Sequence, residues 1–113
     1  MITRCCDYSK EFDKVKESLI DDEILYDVAE LFKAFADTTR IKIISALKEE
    51  KLCVGAISEL LNISQSAISH QLKVLKNAKI LKSKKVGKMV YYSLDDEHIK
   101  KIFDMGLEHI TKG

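Results

Sequence analysis

The spacing of apolar residues changes after Ala78, and this change constrains the fold more than any other feature of the chain. Before it, apolar residues recur every three or four positions, which is typical of amphipathic helices. The runs Ile80–Val86 and Lys88–Leu94 are rich in β-branched and aromatic residues, and Gly87 separates them. Glycine adopts a positive φ without strain. The pattern therefore predicts a hairpin of two short strands that follows a set of helices.

Helices are predicted on both sides of this hairpin. Their expected ranges are 10–18, 23–36, about 39–48, 54–61, a helix that starts after Ser64, and 96–110. Asp37 and Thr38 are expected to separate the second helix from the third, and Asp95 to cap the last one. The sequence thus predicts a mostly α fold with a small β-hairpin wing. We expect an N-terminal tail with a short helix over residues 1–22 and a single domain over residues 23–113.

Size and composition limit the classes of function. A chain of 113 residues is expected to form one domain with a modest core. No apolar run approaches the ~18 residues that a membrane helix needs, and Met1–Lys10 lacks the apolar core of a signal peptide. We therefore expect a cytoplasmic protein without membrane contact, whose three cysteines are free thiols or metal ligands. No Gly-rich phosphate loop, nucleophile elbow or clustered carboxylate pair points to an enzyme.

Charge is distributed unevenly along the chain. The net charge is only +1, but residues 60–94 contain no Asp or Glu and carry seven lysines, so the rest of the chain is net negative. A lysine run by itself is usually a solvated surface. A long basic segment without acids is also what a surface facing nucleic-acid phosphates requires.

The same segment contains a helix-turn-helix pattern. Asn62-Ile63-Ser64 forms a short turn between two helices, and apolar residues at 68, 72 and 75 line one face of the second helix. The outward side of that helix carries candidate contacts to bases or phosphates, which are Gln65, Ser66, Ser69, His70 and Lys73. An ordinary helical hairpin with a polar exterior would show the same pattern.

The predicted wing adds positive charge beside this unit. Lys84, Lys85 and Lys88 lie at or near the hairpin tip, where they can reach a neighbouring groove or the phosphate backbone. The helix-turn-helix pattern, the acid-free segment and the basic wing together favour binding to double-stranded DNA. A protein-interaction module would not need an acid-free basic half.

Several motifs in the expected order resemble the ArsR/SmtB family of metal-sensing winged helix-turn-helix repressors. They are Phe35-Ala36-Asp37 followed by Arg40, Lys51–Gly55, Ser64–Leu72 and Gly87–Leu94, and the similarity extends from about Val28 to the C-terminus. The resemblance implies a homodimer that binds operator DNA in its metal-free form. It also implies that an inducing metal ion weakens the complex with DNA.

The predicted last helix carries one candidate metal site. His98 and His109 share a helix face but lie about 16 Å apart along the axis, so they cannot bind one ion within a single chain. Two such helices packed antiparallel across a dimer axis would bring His98 of one chain to His109 of the other, with Asp96 nearby. This arrangement resembles the family's zinc site. Lys112 stands where the family has Glu or His, and an ammonium near Zn²⁺ opposes binding.

Three cysteines form the second candidate metal site. Cys53 matches a family cysteine that, together with cysteines of the N-terminal tail, binds cadmium, lead or zinc, and Cys5 and Cys6 lie in that tail here. The family's next cysteine is Gly55 in this chain, so at most three thiolates are available. Three soft sulfurs suit Cd²⁺, Pb²⁺ or arsenite, and Zn²⁺ if Asp7 joins as a fourth ligand.

Other interpretations of these residues remain open. Taken alone, Cys53 fits a small buried hydrophobic residue better than a metal ligand, and the adjacent pair Cys5-Cys6 is what favours the metal site. A repressor of the same fold controlled by thiol redox state or by arsenite is the alternative to one released by a divalent metal.

Overall fold

The computed structural model describes residues 8–112 as six helices and three strands. The helices are α1 (Ser9–Ser18), α2 (Asp22–Phe35), α3 (Thr38–Ala46), α4 (Val54–Leu61), α5 (Gln65–Asn77) and α6 (Glu97–Thr111). The strands are β1 (Leu52–Cys53), β2 (Leu81–Val86) and β3 (Met89–Leu94). The predicted bounds of α4 and the predicted start of α5 are confirmed. The mostly helical winged architecture is confirmed as well.

The start of α3 differs from the prediction by one residue. Thr38 was expected to interrupt the helices, but it is the first residue of α3. The reason is that the Asp37 carboxylate accepts a hydrogen bond from the backbone N–H of Arg40 at 3.0 Å, which makes Asp37 the N-cap. The helix also ends earlier than expected, at Ala46 rather than Lys48.

The cap of α6 is also shifted, because Asp96 and not Asp95 is the N-cap. The Asp96 carboxylate accepts hydrogen bonds from the backbone N–H groups of His98 and Ile99, at 2.8 and 3.3 Å. Asp95 instead donates its own N–H to the carbonyl of Ile80 at 2.8 Å, which prolongs the strand pairing by one residue. The prediction that Asp95 caps the helix is therefore wrong.

The sheet has three strands, where the sequence predicted two. Its order is β1-β3-β2, all antiparallel, and β1 pairs through Leu52 with Tyr92 and through Cys53 with Tyr91. A strand of two residues is too short for its side-chain alternation to be recognised in a sequence. The predicted hairpin is present, with Gly87 at φ +63° in its two-residue turn.

The apolar core lies between α3, α4, α5 and the inner face of the sheet. Its buried members are Ala34, Phe35, Ile43, Ile44, Leu47, Ile57, Ile68, Leu72, Leu75, Ile80, Leu81 and Ile99. α6 closes one side through Ile99 and an ion pair between Lys48 Nζ and Asp104 Oδ1 at 2.6 Å. Helix α1 contributes no buried residue. Over residues 8–112, no helix combines the length and apolarity that a bilayer crossing requires.

Candidate nucleic-acid interface and metal-ligand residues

The turn between α4 and α5 is held by local hydrogen bonds. Asn62 ends α4 in the left-handed conformation with φ 55°, which asparagine tolerates better than most residues. The Ile63 N–H donates to the Ser58 carbonyl at 3.1 Å, and the Ser58 hydroxyl donates back to the Ile63 carbonyl. Ser64 then caps α5 by accepting from the N–H of Ala67 at 3.2 Å. These bonds fix the direction in which α5 leaves the turn.

The two faces of α5 divide between the core and solvent. Ile68, Leu72 and Leu75 are fully buried. The five predicted contact residues, Gln65, Ser66, Ser69, His70 and Lys73, are all exposed. The structure therefore brings these five together on one open surface, and all but Lys73 lie in the N-terminal half of the helix, where helix-turn-helix proteins contact base edges.

The three predicted wing lysines are exposed but do not share one face. Lys84 pairs with Tyr91 and Lys85 with Val90, so these two adjacent lysines point to opposite sides of the hairpin. Lys88 lies in the turn beside Gly87. The wing therefore presents positive charge around its tip, which suits insertion between phosphates on both sides of a groove better than contact with a single strand.

A contact that the sequence did not predict joins the wing to α5. Lys76 Nζ donates to the Ser83 hydroxyl at 2.7 Å. Because Lys76 is on α5 and Ser83 on β2, this exposed bond adds a polar contact to the packing of the helix against the wing strand. Lys76 and Ser83 are seven positions apart, and the end of α5 and the start of β2 lie between them. No periodic pattern in the sequence therefore predicts their contact.

The predicted histidine constellation is only partly assembled within one chain. Asp96 Oδ2 lies 3.3 Å from His98 Nδ1, and the His98 side chain is 84% exposed. The hydrogen bond with His98 is the main cause that lowers the pKa of Asp96 below its ordinary value. His109 lies eleven residues further along the same helix, next to a shallow pocket that Lys112 also lines. Over residues 8–112, no three His, Cys, Asp or Glu side chains form a cluster suited to a metal ion.

The predicted thiolate constellation can be located only at Cys53. This residue ends β1 and is the N-cap of α4. Its side chain is half-buried and forms no disulfide with any residue between 8 and 112. Cys5, Cys6 and Asp7 lie outside the described residues. Gly55, which replaces the second family cysteine, is close to α5, since a Cβ at this position would lie 3.7 Å from Gln65 Nε2.

An open apolar groove of about 850 Å³ lies along α6 and the neighbouring sides of α2, α3 and α4. Its lining includes Phe32, Ile41, Leu61, Phe103, Leu107 and Ile110. The apolar surface continues along α2, where Ile24, Leu25, Val28 and Phe32 are each more than two-fifths exposed. A continuous apolar surface of this extent is typical of an interaction interface.

Comparison with known proteins identifies transcriptional regulators as relatives of this chain. The sequence profile described as bacterial regulatory protein, arsR family, matches residues 37–83. The chain is 46% identical over 84 residues to the cadmium resistance transcriptional regulatory protein CadC homolog of Staphylococcus aureus, spanning 74% of this chain and 69% of that protein. It is 39% identical over 85 residues to the transcriptional repressor SmtB homolog of Synechocystis sp., spanning 75% of this chain and 64% of that repressor, which is just under two thirds. These relatives are named as transcriptional regulators and not as enzymes.

A solved structure supports the same architecture. The homodimeric winged helix-turn-helix DNA-binding domain of a possible ArsR-family transcriptional regulator from Mycobacterium bovis matches with a TM-score of 0.74 and 24% identity. The match covers 84% of this chain and 94% of that domain, and it establishes the winged helix-turn-helix fold. The profile match at residues 37–83 runs from the N-cap of α3 into β2, so it contains the whole helix-turn-helix.

Proposed function

From the premise that this chain belongs to the ArsR/SmtB family of bacterial transcriptional regulators, we propose that it is a cytoplasmic repressor that binds double-stranded operator DNA as a homodimer. Binding of Cd²⁺, Pb²⁺ or Zn²⁺ then releases it from the operator. DNA binding and dimerisation are assigned to residues 23–113, and residues 1–22 form an N-terminal extension. The observation that carries the proposal is the exposed surface of α5 and the wing, built entirely from an acid-free segment.

The surface has the two kinds of groups that specific DNA binding needs. The side chains of Gln65, Ser66, Ser69 and His70 supply hydrogen-bond donors and acceptors for base edges on the exposed face of α5, near its N-terminus. Lys73 and the wing lysines supply charge for phosphates, which fixes position without reading sequence. Since α5 packs against β2 and the Lys76–Ser83 bond also joins them, both sets of groups belong to adjoining elements of the fold.

We expect a variant carrying Lys84→Gln and Lys88→Gln to bind DNA of any sequence more weakly. Each lost phosphate contact should reduce the dependence of log K on log salt concentration by about 0.9. The measurement is a salt titration of binding to a mixed-sequence duplex, followed by fluorescence anisotropy. Lys101→Gln on α6 is the control for loss of charge itself, because it removes one lysine charge from an exposed position outside the acid-free segment and should keep the parental slope. An unchanged slope in the double variant would exclude the wing from the interface.

The apolar groove along α6 and the exposed face of α2 support a homodimer. A second copy related by two-fold symmetry presents the same surfaces. A single two-fold interface can therefore bury both the groove along α6 and the exposed face of α2. The two α5 helices of such a dimer would meet successive major grooves about 34 Å apart on a palindromic site. The Mycobacterium bovis domain with this fold is a homodimer.

Two sets of residues are proposed to bind the inducing ion. The first is Asp96 and His98 with His109 of the partner chain. The Asp96 and His98 side chains are exposed and already adjacent, so they fit a borderline ion such as Zn²⁺. The second set is Cys5, Cys6 and Cys53, whose sulfurs fit softer ions such as Cd²⁺ and Pb²⁺. The staphylococcal relative is named for cadmium resistance. Because Lys112 opposes cation binding at the first set, the cysteines are expected to provide most of the affinity for the soft ions.

We expect Cys53→Ser to abolish most of the Cd²⁺ response and His109→Ala to abolish most of the Zn²⁺ response. The reason is that thiolate selects the softer ion, whereas imidazole suits zinc. The measurement is a titration of the DNA-bound protein with each metal under reducing conditions, with DNA release followed by anisotropy.

A further pair of variants separates capping from metal binding at Asp96. Asp96→Asn keeps an N-cap oxygen and removes the carboxylate, whereas Asp96→Ala removes both. A weaker Zn²⁺ response in Asp96→Asn, with unchanged thermal stability, identifies the carboxylate as a ligand.

If Cys53→Ser and His109→Ala both release DNA as the parent does, neither set of residues is the sensor. Release by an oxidant without metal would instead support control by thiol redox state.

A further inference from the structure

Arg40 joins three parts of the fold through one side chain. It lies in the first turn of α3, and its side chain is only 18% exposed. Its guanidinium contacts the C-terminal end of α2, the recognition helix α5 and the Asp37 cap. Elsewhere α5 packs against α3, α4 and β2, while α2 packs against α3. The Arg40 side chain is therefore a direct polar link between α2 and α5.

At the α2 end, Arg40 contacts two backbone carbonyl groups of the last turn, of which that of Lys33 also accepts from the N–H of Ala36 at 3.1 Å. Its Nε donates to the Ala34 carbonyl at 2.7 Å, and its Nη2 lies 3.4 Å from the Lys33 carbonyl. The last carbonyls of a helix have no partner within the helix and carry its negative dipole end. A cation at this position is therefore held by charge as well as by hydrogen bonding.

At the α5 end, Arg40 reaches the helix that carries the proposed DNA contacts. Its Nη1 donates to Gln71 Oε1 at 3.2 Å. Gln71 is half-buried and lies directly between exposed His70 and buried Leu72. Gln71 thus lies at the boundary between the exposed face of α5, which carries the proposed DNA contacts, and its buried face. A small rotation of α5 about its axis would change the distance between Gln71 Oε1 and Arg40 Nη1.

We propose that Arg40 is a positioning residue that sets the orientation of α5 relative to α2, so that the packing of α2 in the proposed dimer influences how the exposed face of α5 meets DNA. This inference rests on the proposed DNA-binding function. A guanidinium can serve this purpose because its rigid planar fork holds several acceptors at fixed angles. A lysine ammonium is a single point that cannot hold all of them.

The test uses the full-length protein and a duplex recovered by in vitro selection from random sequence. Binding to this duplex and to a mixed-sequence duplex is measured for Arg40→Lys, Gln71→Met and the double variant. Gln71→Met removes only the α5 acceptor and leaves the α2 carbonyls bound to Arg40. Asn77→Met is the matched control, because Asn77 is exposed on the same helix and its amide accepts no hydrogen bond from Arg40.

We expect the ratio of selected to mixed-sequence affinity to fall about tenfold in each single variant, the effect of one charged hydrogen bond. The double variant should fall no further, because both changes break the same link. Asn77→Met should keep the parental ratio. A merely structural role would lower thermal stability and leave the ratio unchanged, and that result would overturn the inference. Additive losses in the double variant would also overturn it. Failure of the parent protein to select any duplex would contradict the DNA-binding proposal itself.

Discussion

Leu107→Lys should produce a folded monomer that binds its selected DNA at least ~100-fold more weakly than the parent, since two linked half-site contacts gain about 10²–10⁴ over one. Leu107 is 45% exposed on the edge of the apolar groove, so a lysine is tolerated in the isolated chain. In a two-fold dimer the substitution appears twice and places two ammonium groups in an apolar interface, which is costly. Sedimentation gives the mass, and anisotropy gives the affinity.

The added charge makes this experiment more decisive. A new lysine by itself strengthens attraction to DNA phosphates, so the added charge does not account for weaker binding, and sedimentation shows whether the dimer is lost. Glu108→Lys is the control, because Glu108 is exposed and lies about 100° further around α6. It should remain dimeric. A dimer that survives Leu107→Lys would show that the groove is not the interface and would remove the basis for a histidine site shared between subunits.

Leu72→Ala should lower the free energy of unfolding by about 2–5 kcal/mol, the cost of deleting a fully buried leucine. Leu72 has no exposed surface and packs in the cluster that anchors α5. For a domain of this size, each kcal/mol corresponds to a fall in melting temperature of about 4–8 °C. Thermal and urea unfolding, followed by circular dichroism, measure the change.

The comparison with Leu72→Met isolates packing from hydrophobicity. Methionine keeps the volume nearly constant, so its cost should stay below about 1.5 kcal/mol. Equal losses for alanine and methionine would show that leucine's shape matters here and not the volume it fills. No loss in either variant would mean that α5 is not held by the core as the structure places it.

Local patterns of residues predicted most of the helices and the hairpin. The helical spacing of apolar residues predicted α4 and the start of α5, because one face of each helix must be apolar to pack against the core. Ser64 marked the cap of α5 and Gly87 marked the hairpin turn, because each residue satisfies a local backbone requirement. The exposed side of α5 followed from the same periodicity. The predicted contact residues are therefore exposed as expected, although their contacts with DNA stay a prediction.

Choices between neighbouring residues could not be made from local patterns. Asp95 and Asp96 are the same residue type at adjacent positions, and both can cap a helix. The Asp95 N–H is engaged by Ile80, a residue fifteen positions earlier in the chain, and this pairing moves the cap to Asp96. The two residues of β1 likewise show no strand pattern of their own. They form a strand because they pair with β3.

The sequence alone therefore determined which segments are helical, where the hairpin turns and which side of α5 faces solvent, because each depends on residues a few positions apart. Only the tertiary structure decided how these parts are joined. The bond from Arg40 to Gln71 spans 31 positions, and the bond from Lys76 to Ser83 crosses from a helix to a strand. Such contacts depend on the packing of whole elements, since neither partner's local surroundings specify the other.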